Sequence, residues 1–144
     1  MYKTIRPTPK CAAKRSLPKR DPQRPTKVKR PWGFYTVLNS GKGFKVKLVE
    51  VLPNRKLSLQ KHNYRSEHWV VVTGEAKITN GRNILYLNHN ESAYIPKKGI
   101  HRLENTGKTQ LKIVEVQCGA RLIEGDIERL EDIYGRYRYN AKKR

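Results

Sequence analysis

Between residues 33 and 117 one pattern recurs: short apolar runs alternate with polar residues at period two, and each run ends at a Gly, Asn or Pro. Successive side chains of an extended strand face opposite ways, so this period builds one buried and one solvated face. The runs at 33–39, 44–53, 56–62, 68–73, 76–79, 83–87, 92–95, 101–105 and 111–117 are predicted strands. Two breaks carry specific turn chemistry. Asn80-Gly81 is a strong hairpin signal, and Gly41 and Gly43 supply the positive φ of an earlier turn. Many short strands at this spacing predict an all-β domain closed as an antiparallel sandwich or barrel, since closure removes exposed sheet edges. After Gly119 the pattern changes: Ile127, Leu130, Ile133 and Tyr134 recur at helix-like spacing among charged residues. One short C-terminal helix packed on the barrel is expected there.

The chain has 144 residues, room for one ordinary domain. Its formal charge of +20 raises the prior for a polyanionic partner, but the excess sits at the ends. Residues 1–30 carry eleven Lys/Arg against Asp21 alone, and 136–144 carry five more. Residues 31–135 hold sixteen basic and eleven acidic residues. With five prolines and few large apolar groups, 1–29 is expected to be a disordered basic tail, 30–136 the folded domain and 137–144 a second basic tail. Those prolines also oppose the amphipathic helix of an organelle transit peptide. Cys11 lies in the tail and Cys118 at the end of an alternating run, so no disulfide framework is indicated and a reducing, cytoplasmic setting is expected. No apolar run approaches the ~20 residues of a membrane span, so no membrane partner is expected.

The chemistry-bearing residues cluster on these strands. Gln60 and His62, two apart, share a face; Glu67 shares a face with Trp69 and Val71, while His68 takes the other. His101 follows Pro96-Lys97-Lys98-Gly99-Ile100, where antiparallel pairing can return it to the same barrel mouth. An amide oxygen, a carboxylate and two imidazoles suit zinc or a similar first-row divalent ion and leave positions for water or substrate. The four together carry this expectation, because a single buried histidine is more often a satisfied core residue. Trp32, Trp69 and Tyr94 are expected in core or rim packing rather than in substrate stacking.

The spacing resembles the cupin signature, with Asn54, Gln60-x-His62, Glu67 and Gly74 in the first part and Pro96, Gly99, His101 and Asn105 in the second. The resemblance implies a double-stranded β-helix, the cupin or jelly-roll barrel, that often pairs as a homodimer. Gln60 stands where the first histidine is usual; Asn54, Asn90 and Lys98 stand where glycines are expected. Residues 30–136 resemble the C-terminal domain of type II mannose-6-phosphate isomerases, usually fused to a mannose-1-phosphate guanylyltransferase. Arg30-Pro31-Trp32-Gly33, Leu57-Ser58-Leu59-Gln60-Lys61-His62, Arg65-Ser66-Glu67-His68-Trp69, Tyr94-Ile95-Pro96, His101-Arg102-Leu103-Glu104-Asn105 and Tyr134-Gly135-Arg136 carry the likeness. Where the family has a histidine-rich stretch this chain has His62-Asn63-Tyr64, and with no Gly-rich nucleotide loop among these residues a guanylyltransferase activity is not expected of them.

The resemblance implies a metal-dependent isomerase interconverting mannose 6-phosphate and fructose 6-phosphate through an enediol. One divalent ion is expected on Gln60, His62, Glu67 and His101, with zinc first and Mn, Fe, Co or Ni as alternatives. Arg65 and Arg102, with Lys61, Lys97 and Lys98, flank the expected mouth and are candidates for the substrate phosphate. Glu104 and a metal-bound hydroxide are the candidates for the proton carrier, although alternation places Glu104 opposite His101. Two other readings stay open: a non-catalytic cupin whose basic tails bind nucleic acid or another polyanion, and a sugar-nucleotide sensor or subunit serving a separate transferase.

Overall fold

The computed structural model describes residues 25–136. It is an all-β barrel of twelve strands. β1 (Lys27–Arg30), β2 (Gly33–Gly41), β3 (Phe44–Val51), β6 (Arg65–Thr73), β9 (Ser92–Ile95) and β11 (Leu111–Gly119) form one sheet in the order β1-β2-β3-β11-β6-β9. β5 (Leu59–His62), β7 (Ala76–Asn80), β8 (Asn83–Leu87), β10 (His101–Asn105) and β12 (Ile127–Glu131) form the second, in the order β12-β5-β10-β7-β8, with the two-residue β4 (Arg55–Lys56) on β10. Every pairing is antiparallel. Among the described residues no helix is long and apolar enough to cross a membrane.

The nine expected strands all form, the run at 56–62 being split by the bend that separates β4 from β5. Two elements differ from expectation. The segment read as a helix is a single 3-10 turn at Glu124–Asp126 followed by β12, which lies along β5 with Ile127 opposite His62 and Arg129 opposite Gln60. Spacing alone fits a helix there, but β5 offers a row of unpaired backbone groups that only a strand can satisfy. The expected tail also ends earlier, because Lys27, Val28 and Lys29 pair with β2 as part of β1. Residues 1–24 and 137–144, where the tail readings fall, lie outside the described residues.

Register divides the barrel interior into two ends. On β11 the inward residues run Leu111, Ile113, Glu115, Gln117, all buried. Their partners on β3 run Val51, Val49, Lys47, Lys45, and on β6 Ile113, Glu115 and Gln117 face Val71, Trp69 and Glu67. Each of the three strands thus has one end in an apolar core and the other among charged groups. Val51, Val71, Ile78, Leu103, Leu111 and Ile113 are nearly or fully inaccessible in that core. Gly33 lets β2 approach β3: a Cβ there would come within 2.0 Å of the Glu50 carbonyl oxygen. Asn54, Asn90 and Lys98, which stand where the cupin pattern has glycine, all adopt left-handed backbone at φ 58°, 67° and 62°.

Candidate metal centre

At the polar end, His62 from β5, Glu67 from β6 and His101 from β10 converge from both sheets. One ligand atom from each lies within 4.8 Å of the other two, and all three residues are about 1% exposed. Gln60 joins them by register, being the direct antiparallel partner of His101 and two residues from His62. Its Oε1 accepts a hydrogen bond from Ser58 Oγ at 2.7 Å.

The Glu67 carboxylate is held on all sides. Arg65 Nε donates to Oε1 at 3.0 Å, Trp69 Nε1 donates to Oε2 at 3.0 Å, and Gln117 Nε2 lies 3.5 Å from Oε1. His62 Nε2 is 3.1 Å from Oε1 and His101 Nε2 is 3.8 Å from Oε2. Burial alone would raise its pKa, but the His62 hydrogen bond and the charges of His62, His101 and Arg65 hold the carboxyl well below its ordinary range. Burial lowers the pKa of His101, which favours the neutral, ligating imidazole.

The donor set fits a divalent cation. His101 Nδ1 donates to the Gly99 carbonyl at 2.8 Å, which leaves the lone pair on Nε2. That Nε2 is buried without a hydrogen-bond partner and faces a carboxylate oxygen; His62 Nδ1 is likewise buried and unpartnered. The orphaned His101 Nε2 beside an anionic carboxylate is costly unless a cation lies between them. One buried cation is in place: the Arg65 guanidinium reaches Glu67 and lies 3.3 Å from His62 Nε2.

Beside Gln60 and Arg65 lies a cavity of about 50 Å³. Gln60 and Arg65 line it beside the cluster, Trp32, Val49 and Leu57 line its apolar wall, and Glu115 and Gln117 its polar wall. Gln117 Nε2 donates to Glu115 at 2.6 Å, linking that acid to Glu67. Burial first, and then the Glu67 charge, push the Glu115 carboxyl up to about 8.

Of the residues expected at the mouth, Arg65 reaches the cluster and the cavity. The others do not. Lys61 points from the opposite face of β5 and pairs with Glu128 at 3.3 Å. Arg102 alternates away from His101 and lies 3.2 Å from Glu131, while Lys97 and Lys98 are exposed in the turn before β10. Glu104, the expected proton carrier, pairs with Lys77 at 3.3 Å and lines a separate surface recess with Asn54 and Ile133. Strand alternation sends each of Lys61, Arg102 and Glu104 outward. Glu115 and Arg129, which do line the cavity, went unread. The signal for Glu115 lay in the run Leu111-x-Ile113-x-Glu115-x-Gln117, where polar residues continue a core-facing frame; Arg129 became legible only once β12 proved to be a strand.

A double-stranded β-barrel with two histidines and a glutamate gathered in its mouth is the architecture of a cupin with a metal-type site. Solved structures bear out the fold. The capsular polysaccharide assembling protein CapF of Staphylococcus aureus superposes with a TM-score of 0.66 at 19% identity, covering 76% of this chain and 33% of CapF. An RmlC-like cupin from Shewanella frigidimarina superposes at 0.62 and 16% identity, covering 68% and 86%. Residues 19–132 match the family described as Mannose-6-phosphate isomerase C-terminal, and the chain belongs to that family. It is 52% identical over 109 residues to the alginate biosynthesis protein AlgA of Pseudomonas syringae, covering 76% of this chain and 23% of AlgA. To the mannose-1-phosphate guanylyltransferase ManC of Salmonella typhimurium it is 47% identical over 109 residues, covering 76% and 23%. The chain thus spans about a quarter of the length of these curated relatives.

Proposed function

We propose that the protein is a metal-dependent aldose-ketose isomerase interconverting mannose 6-phosphate and fructose 6-phosphate. The observation that carries this reading is the buried His62-Glu67-His101 cluster with Gln60 in register beside it, Gln60 and Arg65 also lining an adjoining cavity. Membership of the isomerase C-terminal family supports the substrate class. A zinc-like ion would be held by Gln60, His62, Glu67 and His101, and it would supply Lewis-acid polarisation of the sugar carbonyl.

The chain's own residues account for the rest. Isomerisation takes a proton from C2 of the aldose and returns one to C1, passing through an enediol, so one group must both accept and deliver it. Glu115 takes that role in place of Glu104: it lines the cavity, and burial raises its pKa above the ordinary carboxylate value, so that it can hold the proton it takes up. Gln117 orients it, and Trp69 and Arg65 hold Glu67. The apolar wall of Trp32, Val49 and Leu57 limits water around the sugar.

Purified protein supplied with zinc, manganese, cobalt or nickel and given mannose 6-phosphate is expected to form fructose 6-phosphate. His101→Ala should lose both bound metal, read by elemental analysis, and turnover. Absence of turnover with every metal, in protein that binds the metal stoichiometrically, would remove the isomerase reading; wild-type metal content in His101→Ala would remove the ligand assignment.

A further inference from the structure

Five cationic side chains line the cavity: Arg30, Lys47, Arg65, Arg129 and Arg136. Three have acidic partners. Lys47 pairs with Glu124 at 2.9 Å, Arg65 donates to Glu67 at 3.0 Å, and Arg136 grips Asp132 through Nε and Nη2, both at 2.9 Å. Arg30 and Arg129 have none among the described residues. Arg30 Nη2 donates only to the Tyr35 hydroxyl at 3.3 Å and Nη1 to the Lys29 carbonyl at 3.1 Å. Arg129 Nε is buried with no hydrogen-bond partner at all.

Their placement is as telling as their lack of partners. Arg129 lies on β12 directly opposite Gln60, which in turn faces His101 across β5 and β10. One inward row of the second sheet therefore runs from an unpaired guanidinium through two of the expected metal ligands. Arg30 enters the same cavity from β1, at the edge of the other sheet. Like charges gathered round a partly desolvated space repel one another, and the pKa of Arg129 is lowered by burial and then by Arg136, with Asp132 and Glu124 opposing and Arg30 adding to the shift. An anion seated between them would relieve both the repulsion and the orphaned donor.

We propose that Arg30 and Arg129 form an anion subsite that takes the phosphate monoester of the substrate and sets the sugar's reactive end against the Gln60-His101 row. This deepens the isomerase reading and rests on it for the identity of the sugar, while the anion subsite itself stands on the geometry alone. It also places phosphate recognition on β1 and β12, not on Lys61, Lys97 or Arg102.

The test uses metal-loaded full-length protein and inorganic phosphate as the probe, titrated by calorimetry at physiological ionic strength, with turnover of mannose 6-phosphate measured in parallel. Arg129→Gln and Arg30→Gln are each expected to weaken phosphate binding ~10–100-fold. Metal content should be unchanged, KM for mannose 6-phosphate should rise in proportion, and Arg129→Lys should recover part of the loss. Phosphate binding at wild-type strength in both glutamine variants, or none in the wild type, would overturn the subsite. Because Arg30 sits on an edge strand, its variant keeps the test decisive if Arg129→Gln fails to fold. Arginine-dependent phosphate binding without any turnover would keep the subsite and discard the isomerase. Turnover with phosphate affinity unmoved by both substitutions would do the reverse.

Discussion

Glu115 holds a proton that most carboxyl groups have released, because its surroundings are dry and Glu67 is charged nearby. Replacing it with glutamine keeps the shape and the Gln117 contact but removes proton transfer. Glu115→Gln is expected to lower isomerase turnover ~10²–10⁴-fold while metal content stays at the wild-type level, read by steady-state assay beside elemental analysis. The same residue gives a stability signature. Its folded pKa of about 8 lies above the ordinary 4.5, so the native state keeps a proton that the unfolded chain loses across that interval. Wild-type stability relative to Glu115→Gln should therefore fall as pH rises from about 4.5 to about 8, and level off above it. Urea unfolding of both proteins across this range, with metal chelated throughout, measures the difference. Lys98 shows that backbone demands can be read residue by residue. It adopts φ 62° in the turn before β10, and its N–H donates to the His62 carbonyl at 2.7 Å. Lys98→Gly keeps that bond and removes the Cβ penalty, so a gain of about 0.5–1 kcal/mol is expected in chemical denaturation.

At the scale of elements, β12 and the turn before it settle the shape of the cavity. Asp126 is buried, and its two carboxylate oxygens accept the backbone N–H groups of Asn63 at 3.0 Å and Tyr64 at 3.1 Å. It thereby clamps the β5-β6 connection, which separates His62 from Glu67, against the incoming β12 strand. Asp126→Ala would leave two backbone donors without partners, costing about 2 kcal/mol of stability by urea unfolding and weakening metal affinity. An unchanged metal affinity would show that the two ligands are positioned without this clamp. The helix-like spacing of Ile127, Leu130 and Ile133 is real, but β5 supplies an unpaired edge, and satisfying its backbone outweighs local periodicity. That same strand turns Arg129 inward beside Gln60.

For the whole molecule, the proposed site draws its candidate ligands from both sheets: Gln60, His62 and His101 from one and Glu67 from the other. A cation bound there cross-links the barrel at its polar end, where the apolar core does not reach. Chelation is expected to lower the thermal unfolding midpoint and re-addition of metal to restore it; at about 100 times the dissociation constant the linkage is worth about 2.7 kcal/mol. A midpoint indifferent to chelator, in protein shown to have carried metal, would mean that the ion does not bridge the sheets. The sequence by itself determined the strands between residues 33 and 119, though not β1 or β12, because period-two alternation and turn residues act locally, and it determined the spacing of Gln60, His62, Glu67 and His101. It also marked Asn54, Asn90 and Lys98 as left-handed positions through their place in the cupin pattern. Alternation already set Glu104 opposite His101; only the tertiary structure decided which acids and bases pair with Lys61, Arg102 and Glu104 on that other face and that Glu115, Arg30 and Arg129 line the cavity. The physical reason is register: alternation says that neighbours part, but which face lies inward, and which strand an edge recruits, depends on partners distant in the chain.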